Sequence, residues 1–127
     1  MSVSLRQALT EKRIEASAPC RIDSGGTWDI KTMALPLEGI RPVTVNIALN
    51  LRTRVTLLPF DDGRVRISSR GFGRKEHSDL ARLPFHTPYG LFFAAVSYFG
   101  FHGLDVHILA DAPGKSALGG SSTALIA

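Results

Sequence analysis

The stretch VTVNIALNLRTRVTL, residues 43–57, alternates along almost its whole length. Its odd positions (Val43, Val45, Ile47, Leu49, Leu51, Val55 and Leu57) are apolar except for Thr53, and its even positions are polar apart from Ala48. A period of two sends successive side chains to opposite faces of a strand, so the run reads as sheet with one wet face. It is long for a single strand, and a bend or bulge is predicted within it. Asp61-Asp62-Gly63 then supplies hairpin-turn chemistry, and Val65 and Ile67 point one way from a returning strand. The two runs are predicted to form an antiparallel pair.

Working upstream, Leu5 to Ala16 has helix-forming composition, while Ile14 to Ala18 alternates like a short strand. Ala18-Pro19 is predicted to stop regular structure, and Asp23-Ser24-Gly25-Gly26-Thr27 reads as a turn-rich loop. Downstream, Arg70 to Arg82 is basic and aperiodic, which predicts a solvated loop. Thr87-Pro88 combines cap and first-position signals for a helix with Leu91, Phe92, Ala95, Val96 and Phe99 on its apolar side, ended by Gly100 or Gly103. Leu104, Val106, Ile108 and Ala110 alternate with polar residues in a further strand. The order predicts a mixed α+β layer architecture.

The chain has 127 residues, enough for one domain that buries roughly two thirds of its unfolded surface. No apolar run approaches the ~20 residues needed to span a bilayer, and Met1 to Thr10 lacks a secretion-signal pattern, so a cytoplasmic protein is expected. Cys20 is the single cysteine, which excludes an internal disulfide, and the four histidines are scattered without companions at metal-ligand spacing. A net charge of +4 suits polyanions of any kind and does not choose among them.

The last strand runs into Pro113-Gly114-Lys115-Ser116-Ala117-Leu118-Gly119-Gly120-Ser121-Ser122, after which Thr123-Ala124-Leu125-Ile126-Ala127 reads as the beginning of a helix. A helix amino terminus exposes unpaired N–H groups and the positive end of the macrodipole, and small residues let phosphate oxygens come close. An ordinary surface loop with a serine cap has the same composition. Gly114-Lys115-Ser116 does not complete a P-loop, because Leu109 holds the position where that pattern needs glycine. The stretch resembles instead the second signature of the GHMP kinases (galactokinase, homoserine kinase, mevalonate kinase, phosphomevalonate kinase), with Pro113, Leu118, Gly119 and Ser121 at matching positions. It departs at Ala117, where the family usually has glycine, and at Gly120, where many members have serine.

Far upstream, Ala18-Pro19-Cys20-Arg21-Ile22-Asp23 followed by Gly25-Gly26-Thr27-Trp28-Asp29 resembles the first signature of the same family, in the form seen in fucokinase-like and heptose-phosphate-kinase-like sugar kinases. The resemblance implies an amino-terminal GHMP domain over residues 1–127, a ribosomal-protein-like two-layer fold with a left-handed β-α-β unit, incomplete at its carboxy-terminal end. It implies ATP and Mg2+ as cofactors. Pro113, Lys115, Ser116, Ala117, Leu118, Gly119, Gly120, Ser121 and Ser122 would wrap the ATP phosphates, with Ser121 also on the metal. Arg21, Gly25, Gly26, Thr27 and Asp29 would face a sugar or sugar-phosphate. Asp23 either acts directly or caps the turn and pairs with Arg21.

The catalytic base, the magnesium-binding glutamate and a third glycine-rich motif are expected beyond Ala127. The chain is therefore expected to be a fragment, inactive alone. Its unfinished last helix would expose Leu125 and Ile126 and leave a sheet face uncovered, and association with another copy or poor solubility would follow. The competing reading is a basic RNA-binding or structural module of similar fold, resting on the arginine-rich hairpin; fold likeness is weak evidence for it.

Overall fold

The computed structural model describes residues 5–24, 34–70, 73, 75–113, 116, 118 and 120–127. Helix α1 (Leu5–Glu11) leads into β1 (Ile14–Ser24), and a 3-10 turn (Leu35–Ile40) precedes β2 (Val45–Pro59). Strands β3 (Arg64–Ser69) and β4 (Lys75–Asp79), helix α2 (Gly90–Phe99), β5 (Leu104–Ala110) and helix α3 (Gly120–Ile126) follow. The strands form one five-stranded sheet in the order β1-β2-β5-β3-β4, with β3 and β5 parallel and every other neighbouring pair antiparallel.

The helices share one face of this sheet. Leu9 of α1, Phe92, Phe93 and Val96 of α2 and Ala124 of α3 join Val65, Ile67, Leu104, Val106 and Ile108 in a single buried cluster. The opposite face carries Arg54, Thr56, Arg66, Asp105 and His107, so the alternation seen in the sequence separates an apolar layer from a charged one. No described helix is long and apolar enough to cross a membrane.

Strand β2 does not pair with β3. Phe60 donates its N–H to the Gly103 carbonyl at 2.8 Å, and the Gly103 N–H donates to the Arg64 carbonyl at 2.8 Å, so β5 starts wedged inside the expected hairpin. Asp61-Asp62-Gly63 still reverses the chain, with Gly63 at φ 69°, but the two arms open by one strand width to admit it. Burial explains the insertion: Leu104, Asp105, Val106 and Ile108 are all at least nine-tenths buried, and a strand this apolar is most stable at the centre.

Four other expectations are corrected. Ala18-Pro19 does not end β1, which continues to Ser24; it is an edge strand, where the missing proline N–H costs no ladder bond. Arg70 to Arg82 contains β4 and a 3-10 turn (Leu80–Arg82), because a polar edge strand buries too little to show hydrophobic alternation. Helix α2 starts at Gly90 and not at Thr87, whose hydroxyl donates to the Pro84 carbonyl at 3.1 Å and so closes a turn instead of capping. Leu91 and Phe99 are exposed, and the core side of α2 is Phe92, Phe93 and Val96.

The predicted irregularity within residues 43–57 is present. Pro19 pairs with Arg52 and Arg21 with Ala48, so Cys20 alone faces Leu49, Asn50 and Leu51 of β2. Gly100 ends α2 in the left-handed region at φ 67°, its N–H bonding back to Ser97 and Val96. Leu125 and Ile126 are exposed as expected, and so are Ile22, Val45 and Ile47 on the end of the β1–β2 ribbon that reaches past β5.

Candidate functional site

Register aligns the strands that lead into the two signatures. Ala18 of β1 pairs with Thr53 of β2, and Thr53 pairs with Ala110 of β5, so the three residues form one row across the sheet. Strands β1 and β5 run in the same direction, both being antiparallel to β2. The chain therefore leaves β5 level with Ala18, alongside the Pro19–Ser24 stretch that continues upward. Open α/β sheets bind ligands at such carboxyl ends.

Asp111 fixes the departure of the loop. Its N–H donates to the Arg52 carbonyl at 2.9 Å, its Oδ2 accepts the Arg52 N–H at 3.1 Å, and its Oδ1 pairs with the Arg54 guanidinium at 3.1 Å. Arg52 in turn donates to the Ser17 hydroxyl and carbonyl, each at 3.0 Å, which ties the loop root through β2 to β1. Helix α3 then folds back against β1 and β2. Its inward residues Thr123 and Ala124 are buried, as are Ala18, Cys20 and Thr53 in the strands. Ser121 and Ser122 stay exposed in its first turn.

Of the residues assigned to phosphate binding, Pro113 and Ser116 are exposed, Leu118 is half-buried, and Gly120 opens α3. Lys115, Ala117 and Gly119 lie outside the described residues. Arg21 pairs with Asp23, Nε to Oδ1 at 3.2 Å, within β1. The remaining acceptor-side residues, Gly25, Gly26, Thr27 and Asp29, also lie outside the described residues, as does Trp28.

Gly120 has no steric reason to be glycine, since a Cβ there would meet nothing within 4 Å. Gly120→Ser restores the side chain more common in the resembled signature and reduces the backbone entropy of the unfolded chain. It is expected to raise stability by about 0.5 kcal/mol in urea denaturation, with no change in the slope of the transition.

Two residues of this region escaped the sequence reading. Asp111 was visible only as the polar residue after a strand, and its clamp on Arg52 and Arg54 depends on a pairing 57 to 59 residues apart in sequence. Thr53, the polar exception in an apolar series, is fully buried at the centre of the convergence row, and its Oγ1 has no hydrogen-bond partner among the described residues.

No protein-family model and no curated protein sequence matches the chain. Solved structures do. Mevalonate kinase from Methanococcus jannaschii superposes with a TM-score of 0.66 at 12% identity, covering 91% of this chain and 38% of its own. A D-glycero-D-manno-heptose 1-phosphate kinase from Bacteriodes thetaiotaomicron gives 0.61 at 20% identity, over 88% of this chain and 38% of its own. Galactokinase from Lactococcus lactis gives 0.62 at 15% identity, over 90% of this chain and 30% of its own. The fold is that of the amino-terminal portion of GHMP kinases, and the chain spans little more than a third of the length of the first structures it matches.

Proposed function

We propose that this chain is the phosphate-gripping portion of an ATP-dependent small-molecule kinase that transfers the terminal phosphoryl group of ATP to a sugar or sugar-phosphate hydroxyl. The observation that carries the reading is that the strands leading into the two sequence-remote signatures, β1 and β5, run the same way on either side of β2 and share the row Ala18-Thr53-Ala110, with the end of β5 clamped by Asp111. The structural likeness to kinases supports it at the level of fold.

In this reading the loop from Pro113 to Ser122 surrounds the phosphates, the Ser121 hydroxyl contributes to holding Mg2+, and Arg21 with Gly25, Gly26, Thr27 and Asp29 receives the acceptor. The exposed serines at the start of α3, with open space beside Gly120, fit a phosphate group and a hard cation that prefers oxygen ligands. When bound, the cation neutralises charge on the transferred phosphoryl group. Phosphoryl transfer needs metal, cationic groups and an oriented nucleophile together, and in this reading the residues named here supply the phosphate, metal and acceptor contacts. The sugar branch is favoured by the resemblance of Arg21-Ile22-Asp23 and Gly25-Gly26 to sugar-kinase signatures.

The RNA-binding alternative loses its main support. Arg13 pairs with Glu15, Arg54 with Asp111, Arg64 with Asp61 and Asp79, and Arg66 with Asp105, so much of the arginine-rich surface is neutralised internally.

The test is the melting temperature with and without millimolar Mg-ATP, beside a Ser121→Ala, Gly119→Val double variant. Ligand at ten times its Kd stabilises by about 1.4 kcal/mol, which for a domain of this size is a rise of about 5 °C. The rise is expected for the unaltered loop and absent from the double variant. No rise for the unaltered chain, or an equal rise for both, overturns nucleotide binding through this loop.

A further inference from the structure

One transverse row of the charged sheet face crosses all five strands. Glu15 pairs with Thr56, Thr56 with His107, His107 with Ser68, and Ser68 with Lys75. Residues directly opposite across a sheet share a face, so these five side chains line up on the side away from the helices. An open groove of about 600 Å³ follows the row, with Arg13 at one end and Arg70 and Lys75 at the other.

The two ends differ in charge. At the β1 end, Arg13 pairs with Glu15 and also donates to the Thr56 hydroxyl at 3.4 Å, while Thr56 donates to Glu15 at 3.2 Å. That end is self-neutralised. At the β4 end, neither Arg70 nor Lys75 has a carboxylate partner among the described residues, and both are exposed. Between them His107 is anchored through Nε2 to the buried Asp105 at 2.9 Å, a carboxylate already paired with Arg66 at 2.5 Å. This fixes the ring and leaves Nδ1 as its other polar atom.

We infer that the β3–β4 end of this row is an anion site, floored by Ser68 and surrounded by Arg70, Lys75 and His107, which takes the phosphate group of a small phosphorylated molecule. Charge selects the ligand: two uncompensated cations are matched by a phosphate dianion, whereas a single carboxylate leaves one unpaired. Spacing agrees, because His107 and Lys75 lie two strands apart, about 10 Å between backbones, which leaves room for one tetrahedral group bonded from both sides. The site lies on the face of the sheet opposite α3, whose Ala124 packs in the buried cluster. Its existence does not depend on the kinase reading.

Amide NMR titration of the chain with inorganic phosphate and, separately, with a hexose phosphate tests the site, against sodium chloride at matched ionic strength. Saturable shifts are expected at Ser68, Ser69, Lys75 and His107, with the tighter of the two probes identifying free phosphate or an organic ester as the ligand. Arg70→Gln with Lys75→Gln is expected to weaken binding at least tenfold with an unchanged melting temperature, and each single variant to act in the same direction. Ser121→Ala with Gly119→Val is expected to leave it unaltered. Shifts that chloride reproduces, shifts confined to residues 116–122, or affinity indifferent to the Arg70 and Lys75 changes overturn the proposal.

Discussion

Gly90→Ala is expected to destabilise the fold by about 3 kcal/mol or more, enough to remove much of the stability of a domain this size. A Cβ at Gly90 would lie 1.9 Å from the Phe85 carbonyl oxygen and 2.6 Å from its carbon. Both are backbone atoms, so no rotamer change relieves the collision. The turn that runs over Gly90 is held by the Gly90 N–H to the Thr87 carbonyl at 2.8 Å and by the Thr87 hydroxyl to Pro84. Moving that turn also moves Tyr89, whose buried hydroxyl accepts the Ser69 N–H at 2.8 Å and so locks α2 to the end of β3. Urea denaturation of Gly90→Ala beside Gly39→Ala separates this from a general glycine effect. A Cβ at Gly39 meets nothing within 4 Å, and its replacement is expected to change stability by no more than about 0.5 kcal/mol. Equal effects of the two substitutions would show that the close approach at Gly90 is not tight.

Asp105→Asn carries the second large effect, a loss of about 2 kcal/mol at neutral pH. Asp105 is almost wholly buried on the central strand, where its Oδ2 accepts from Arg66 and meets the His107 ring. Burial by itself pushes the Asp105 pKa up, but the hydrogen bonds from Arg66 and His107, with their charges, outweigh it and hold the group below the usual aspartate value. Removing one partner of a fully buried pair costs about 3–5 kcal/mol, and the partial exposure of Arg66, 34% of its side chain, reduces that because water solvates the guanidinium left behind. Arg66 also lies over the Phe60 ring at 4.4 Å, a contact that survives the substitution.

The sign of the pH dependence follows. A depressed folded-state pKa means that the unfolded chain binds more protons between the folded and unfolded values. The stabilisation by Asp105 is therefore complete above the ordinary aspartate range and is lost as the pH falls through it and below. The stability gap between the wild-type chain and Asp105→Asn is expected to narrow below about pH 4. A gap that stays constant from pH 7 to pH 3 would mean that the carboxylate charge does not contribute and that only shape is lost.

The register of β1, β2 and β5 adds meaning to residues that look unremarkable in sequence. Asp111 belongs to neither motif, yet it fixes the end of β5, where the chain enters the glycine- and serine-rich stretch. Cys20 is fully buried opposite the bulge in β2, which makes it a packing residue. Thr53 lies where β1, β2 and β5 meet under the site.

Much of the architecture was legible along the chain. The alternation of residues 43–57, the turn at Asp61-Asp62-Gly63, the core residues Phe92 and Val96 and the stop at Gly100 all follow from local rules, because period, turn conformation and helix termination are set by neighbours a few residues away. The two signatures were legible for the same reason, as short patterns of residue type. The start of α2 was misplaced because the Thr87 hydroxyl found a turn carbonyl before a helix N–H, a choice set by how residues 84–89 fold over Gly90.

The sequence by itself determined a mixed α+β layer with a strand entering a glycine- and serine-rich loop, and the resemblance it carries to one kinase superfamily. Only the tertiary structure decided that β5 enters between β2 and β3, that β4 is an edge strand, that Asp111 clamps the loop root and that five polar side chains line up across the sheet. Each of these depends on which strands become neighbours. That choice is made by burying the most apolar strand at the centre, a competition among distant segments that no local period records.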